Sequence, residues 1–211
     1  MTFQRARTQE QVSARKKEII AACRQIYTAE GYDAITMEKI SKLTSISRAS
    51  LYNYYTTKEE IVLDLLLERH LKFAEELQTE LDKHETLTKE EFCEILAKIS
   101  SEQEIFWSLN SIYLLTFEKQ CSQEKVDDFK IQRRPLFVTL HESTRRIFPN
   151  ITQKQENDFV FLVFATVNGI YPMTHLTAKQ KKALHKAVPW YTPPNFYEIC
   201  KSAIYALMHE F

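Results

Sequence analysis

Glycine occurs only twice in this 211-residue chain, at Gly31 and Gly169. Tight hairpin turns need residues that tolerate positive φ, and glycine does so at no steric cost. With two glycines and six prolines, the chain is poorly supplied for a many-stranded sheet and well suited to helices joined by polar caps. Start signals for such helices recur along it. A hydroxyl residue followed three positions later by an acid or amide, ahead of an apolar segment, has the spacing of a capping box. That spacing occurs at Thr57 with Glu60, Thr88 with Glu91, Ser101 with Glu104, Thr152 with Gln155, and Thr177 with Gln180. The fold class is all-α.

Periodicity places the elements. Ile19, Ile20, Cys23, Ile26 and Tyr27 share one stripe of a helix over about residues 11–30, which Gly31 stops. Thr36 caps a short helix carrying Met37, Ile40 and Leu43, and a polar turn leads to a second, from Ser47 to about Tyr54. A longer helix over about 58–83 carries Leu66, Phe73, Leu77 and Leu81. Others are expected over about 89–100, 102–118 and 123–148, the last kinked or restarted at Pro135. Phe159 to Ala165 would suit a buried strand, but the cap at Thr152 and the length of the pattern favour a helix over about 152–171, ended or bent by Gly169 and Pro172. A helix apolar all round must be covered on every side, which asks for a partner. A short basic helix near 177–187 and a last helix over about 195–208 complete the chain.

Formal net charge is zero, yet residues 1–58 hold ten Lys/Arg against five Asp/Glu, and residues 59–211 hold eighteen against twenty-three. A basic head on an acidic body is the pattern of a nucleic-acid-binding module joined to one that does not bind it. The polar N-terminus, with Arg5 and Arg7, reads as a mobile arm. Cys23, Cys93, Cys121 and Cys200 form no CxxC pair and read as small buried hydrophobes. Six histidines show no HxxxH or ExxH spacing, and no glycine-rich phosphate loop or nucleophile motif is present. A helical enzyme or metal protein is therefore disfavoured, and no cofactor or metal is expected. With no secretory signal and no run of about 18 apolar residues, a cytoplasmic location is expected.

The two short helices over residues 36–54 form a helix-turn-helix pattern. Leu51 and Tyr55 point inward, leaving Arg48, Ala49, Ser50, Tyr52, Asn53 and Tyr54 on other faces. That set mixes a cation, hydroxyls and an amide, the chemistry that reaches base edges and phosphates in a major groove.

Gly31-Tyr32, Ile35-Thr36, Ile40-Ser41, Ile46-Ser47, Ser50 to Tyr55 and Lys58-Glu59 resemble the N-terminal domain of the TetR family of bacterial repressors, over roughly residues 12–66. The turn departs from the pattern in carrying Ser45 where glycine is frequent. The resemblance implies a helix-turn-helix domain over residues 1–57 and a helical effector-binding and dimerisation domain over 58–211. It places Arg48 and Ala49 at the opening of a recognition helix, with Asn53 one turn on, and Thr36, Ser47, Ser50, Tyr52, Tyr54 and Lys58 at phosphate positions. Lys58 also opens a helix whose free N–H groups favour an anion. The resemblance further implies a homodimer through the helices near 152–171 and 195–208, a near-palindromic double-stranded operator, and release by a small-molecule effector. Candidate pocket residues are Phe106, Trp107, Tyr113, Phe137, His141, Phe164, Asn168 and His175, aromatic walls with a few polar groups that suit a largely apolar molecule. The expected function is ligand-responsive transcription regulation, as a repressor. An architectural or co-regulatory DNA-binding factor without an effector is the alternative.

Overall fold

The computed structural model describes residues 8–211. Arg5 and Arg7 of the expected arm lie outside the described residues. Among the described residues there are helices and no strand: α1 (Gln9–Glu30), α2 (Met37–Lys42), α3 (Arg48–Leu51), α4 (Lys58–Leu81), α5 (Lys89–Glu102), α6 (Glu104–Gln120), α7 (Gln123–Gln132), α8 (Arg134–Ile147), α9 (Gln153–Thr174), α10 (Ala178–Ala187) and α11 (Phe196–Leu207). No single one of them is long and apolar enough to cross a membrane.

Most helix starts follow from local chemistry. Reciprocal capping boxes form at Thr88, Thr152 and Thr177, and a further one at Thr8 with Gln11 opens α1. Thr57 caps α4 through the Glu60 N–H, but the Glu60 carboxylate accepts from the Thr56 N–H (2.7 Å) rather than from Thr57. The box expected at Ser101 does not form. α5 runs on to Glu102, so Ser101 lies in its last turn and its hydroxyl donates back to the Lys98 carbonyl (2.7 Å).

Prolines act as their missing donors dictate. Pro135 sits in the first turn of α8, where its N–H would have had no helical partner, and the pattern expected over 123–148 becomes α7 and α8. Pro172 does not end α9, which continues to Thr174. The Thr174 hydroxyl donates to the carbonyls of Ile170 and Tyr171, supporting that final turn.

The chain divides into two compact units. The first comprises the described residues up to Glu68 together with Tyr113–Ile131, the second Arg69–Ile112 with Gln132–Phe211, so α4 and α6 each contribute to both. In the first, Ile61, Val62, Leu63, Leu65, Leu66 and Leu67 of α4 are buried. Tyr32 packs on Phe117 (5.1 Å between ring centroids), and Arg24 pairs with Glu68 at 2.6 Å. In the second unit α11 packs against α5 and α9, and α8 against α9. Phe159 of α9 is 1% exposed and meets the rings of Phe92, Phe148 and Phe211.

Cys23, Cys93 and Cys200 are buried and Cys121 is half-buried, all as free thiols. Burial pushes the thiols up, to about 12 at Cys23, Cys121 and Cys200 and about 11 at Cys93.

Phe159→Ala removes a ring that three others enclose, so it should lower stability by about 3–5 kcal/mol, measured as a fall in the urea unfolding midpoint.

Candidate functional site

Thr36 ends its extended segment as the cap of α2, accepting from the Lys39 N–H (3.1 Å). Ser47 does the same for α3, accepting from the Ser50 N–H (3.2 Å) while donating its hydroxyl to Ser50 Oγ. α3 is shorter than its expected span to Tyr54. After Leu51 the backbone tightens, with the N–H groups of Asn53 and Tyr54 reaching back three residues to Ser50 and Leu51. Asn53 therefore lies just past the helix.

Between α2 and α3, Ser45 is fastened to α1. Its N–H donates to Glu18 Oε1 and its hydroxyl to Glu18 Oε2 (3.1 Å), while Arg15 donates to both the Ser45 hydroxyl and the Glu18 carboxylate. Gly31 is the single described residue with positive φ, so Ser45 meets no left-handed strain where glycine is frequent. Partial burial pushes the Glu18 carboxyl up, but the Ser45 and Arg15 hydrogen bonds outweigh that and hold it below the ordinary carboxylate range.

Leu51 and Tyr55 are 0% and 2% exposed. The Tyr55 hydroxyl donates to Asp64 (2.7 Å), which also pairs with Lys125. Outward, Thr36, Ser47, Arg48, Ala49, Tyr52 and Asn53 are exposed, and Ser50, Tyr54 and Lys58 are half-buried. Thr36, Arg48, Tyr52 and Lys58 border one shallow depression of about 470 Å³. The Lys58 ammonium lies 4.5 Å from the Tyr32 ring centroid, and the Tyr32 hydroxyl donates to Glu59. Two acids, Glu59 and Glu60, occupy the first turn of α4. They take up part of the helix-end field, while the lysine remains a cation at that helix start. Glu38 shares this surface. Its hydrogen bond and ion pair with Lys42 (2.6 Å), and then the field of Arg48, hold its carboxyl down.

The second unit brings four of the eight expected pocket residues together. Phe106, Trp107, Phe137 and Phe164 form a nest in which neighbouring rings lie 4.7–6.2 Å apart, along with Phe73 and His70. Asn168 follows Phe164 by one turn on α9, and its Oδ1 is buried without a partner. The other three lie elsewhere. Tyr113 falls in the first unit, its ring against Phe129 (5.2 Å). His141 Nδ1 is 2.7 Å from the buried Glu156, which Arg145 also reaches. His175 stacks on Tyr171 (4.2 Å) and meets Phe196.

Beside the nest lies a small cavity with room for roughly one water, walled by Phe73, Leu96, Ser100, Trp107, Leu140 and Phe164 among others. The sequence reading missed His70, Phe73 and Ser100. His70 was detectable as a histidine inside the apolar stripe that includes Leu66 and Phe73. It is fully buried, and that burial, with the field of Arg133, holds its imidazole down to about 3, so it is neutral. A larger depression of about 820 Å³, along α4 and α5, is lined by glutamates including Glu75, Glu76, Glu80, Glu90 and Glu94. That charge suits neither DNA nor an apolar molecule.

Two family models match this chain, one described as bacterial regulatory proteins, tetR family, over residues 19–65, the other as tetracyclin repressor-like, C-terminal domain, over residues 68–209. The chain belongs to the TetR family. It is a TetR-family transcriptional regulator with a helix-turn-helix reader and a C-terminal domain of the repressor-like type. Among relatives, the HTH-type regulator YhgD of Bacillus subtilis is 34% identical over 77 residues, covering 35% of this chain and 40% of that protein. QacR of Staphylococcus aureus is 31% identical over 71 residues, 34% of this chain and 38% of that one. The matches thus span about two fifths of these relatives' lengths. The same fold recurs in a TetR-family regulator of Mesorhizobium loti, at TM-score 0.62, 14% identity and 97% and 98% coverage of the two chains. It recurs too in FadR of Thermus thermophilus, solved with lauroyl-CoA, at TM-score 0.60, 16% identity and 92% and 93% coverage.

A carboxyl held low in the folded state stabilises above its ordinary range, and that contribution is lost as pH falls through the folded value. The stability advantage of the native chain over Glu18→Gln should therefore be present above the ordinary carboxylate range and shrink as pH falls below it, measured as the difference in urea midpoints.

Proposed function

We propose that this regulator is a repressor that binds a near-palindromic operator as a homodimer and leaves it when a small, largely apolar effector enters the C-terminal domain. The observation that carries the DNA reading is the depression bordered by Thr36, Arg48, Tyr52 and Lys58, a hydroxyl, a guanidinium, a phenol and an ammonium on one exposed face. Arg48 and Ala49 open the short helix toward base edges, with Asn53 beyond it, and Arg48 has the fork that suits guanine. Thr36, Ser47, Ser50, Tyr52, Tyr54 and Lys58 hold the backbone phosphates. In this reading residues 1–57 serve DNA and residues 58–211 serve the effector and the dimer.

Dimerisation is supported by the outer face of α9. Phe161 is 71% exposed and Met173 70%, with Leu162, Ala165 and Gly169 exposed between them. α11 packs beside α9 and leaves Tyr205 exposed. Four such helices, two from each subunit, bury that apolar surface. The effector reading is supported by the aromatic nest, and by FadR of T. thermophilus and of B. subtilis, which share the fold and were solved with lauroyl-CoA and stearoyl-CoA.

The test is retention and sequencing of genomic fragments on the purified protein at near-physiological salt. The expected result is a near-palindromic site; retention without sequence preference would favour an architectural role. On that site, Arg48→Ala should cost about 1–3 kcal/mol and relax preference at one position. Lys58→Ala should weaken all sequences alike and reduce the salt slope by about 1. Equal, sequence-independent losses would remove Arg48 from base reading. Phe161→Glu should give monomers in sedimentation and lower operator affinity by more than about tenfold, because one reader then docks alone.

A further inference from the structure

We propose that Trp107 and Ser100 are the recognition pair of the effector cavity, and that they select an uncharged, mostly apolar molecule carrying a hydrogen-bond acceptor, such as a ketone, ester or lactone. The inference rests on the reading that the second unit holds the effector, and it specifies that molecule's chemistry.

Trp107 on α6 is 2% exposed and Ser100 on α5 is 0% exposed, and both wall the same cavity. The indole N–H and the Ser100 hydroxyl have no hydrogen-bond partner in the protein. An indole nitrogen only donates, so the group that satisfies it must be an acceptor, whereas a hydroxyl can donate or accept. Leaving both buried and unmatched costs more than their hydrogen bonds would return elsewhere. An incoming carbonyl oxygen can accept from either group.

The rest of the wall defines the body of the molecule. It is aliphatic and aromatic with no charged side chain, and the nearby His70 is neutral. An ion placed there would lose its hydration and find no counter-charge. The cavity as it stands leaves about 10 Å³ for the centre of a water-sized sphere, room for roughly one water. Anything larger enters by displacing the wall, and Phe164 on α9 is the half-buried ring among its aromatics. The rival occupant is therefore a single water bridging the two groups.

Trp107 and Trp190 are the only tryptophans, so full-length protein labelled with ¹⁵N gives two indole signals, and Trp190→Phe, at an 84% exposed position, assigns them. The probes are cyclohexanone, methylenecyclohexane, which has its shape without the acceptor, and cyclohexanecarboxylate. Cyclohexanone should move the Trp107 indole proton downfield and bind at least about tenfold more tightly than methylenecyclohexane. Ser100→Ala should weaken cyclohexanone several-fold and leave methylenecyclohexane unchanged. The carboxylate should not bind. Equal binding of the ketone and the hydrocarbon would overturn the proposal, as would a Trp107 signal that none of the probes moves, the outcome of a water-filled core. If another molecule releases operator DNA while the Trp107 signal stays still, this inference fails and effector control stands. If cyclohexanone moves the signal and the operator stays bound, the recognition pair stands and control through this cavity fails.

Discussion

From Glu59 to Leu67 every residue of α4 is buried except the half-buried Asp64, so this stretch of helix has to be wrapped on all sides. A carboxylate in such a place is tolerable only if its oxygens are matched. The match comes from Lys125 of α7 and from the hydroxyl of Tyr55. Tyr55 stands four residues beyond Leu51, the last residue of α3. Satisfying Asp64 thus fixes where the exposed reading segment must end, and a requirement of the core becomes a constraint on the surface.

The other end of α3 is fixed by a different device. A single α-turn has almost no stability of its own, since nucleation costs more than one hydrogen bond returns. Ser47 caps it, and the turn before it is held on α1 by Glu18. The burial of Leu51 lies between these anchors. Tyr52 and Arg48 are consequently carried by a segment pinned on both sides, which would reduce the ordering required if, as proposed, they dock on DNA.

What was legible in the sequence was what neighbouring residues decide. Thr88, Thr152 and Thr177 start helices because the acid or amide three residues on completes the cap, and Pro135 restarts one because it lacks a donor. Ser101 was misread because a hydroxyl in a last turn can serve the carbonyl behind it, and the sequence does not show where that turn ends. The clamp of Ser45 by Glu18 joins residues 27 apart in sequence, so no local pattern announces it. The aromatic pocket residues were half legible for a related reason. Phe106, Trp107, Phe137 and Phe164 converge, but α6 serves two cores, and a stripe along it cannot reveal that Tyr113 belongs with Phe129. The unmatched Ser100 hydroxyl was invisible, because a lack of partners is a property of packing.

α9 presents Val163, Phe164 and Val167 to the cavity and Phe161, Leu162 and Ala165 to the outside. A helix is stiff across its diameter of roughly 10 Å, so its inner and outer faces cannot move independently. On the proposed reading, a guest that pushed Phe164 aside would roll or translate the whole rod, and the outer face would move with it. In the proposed dimer the helix would work as a cam: an event the size of one side chain inside a subunit would be read out as a change of seating between subunits.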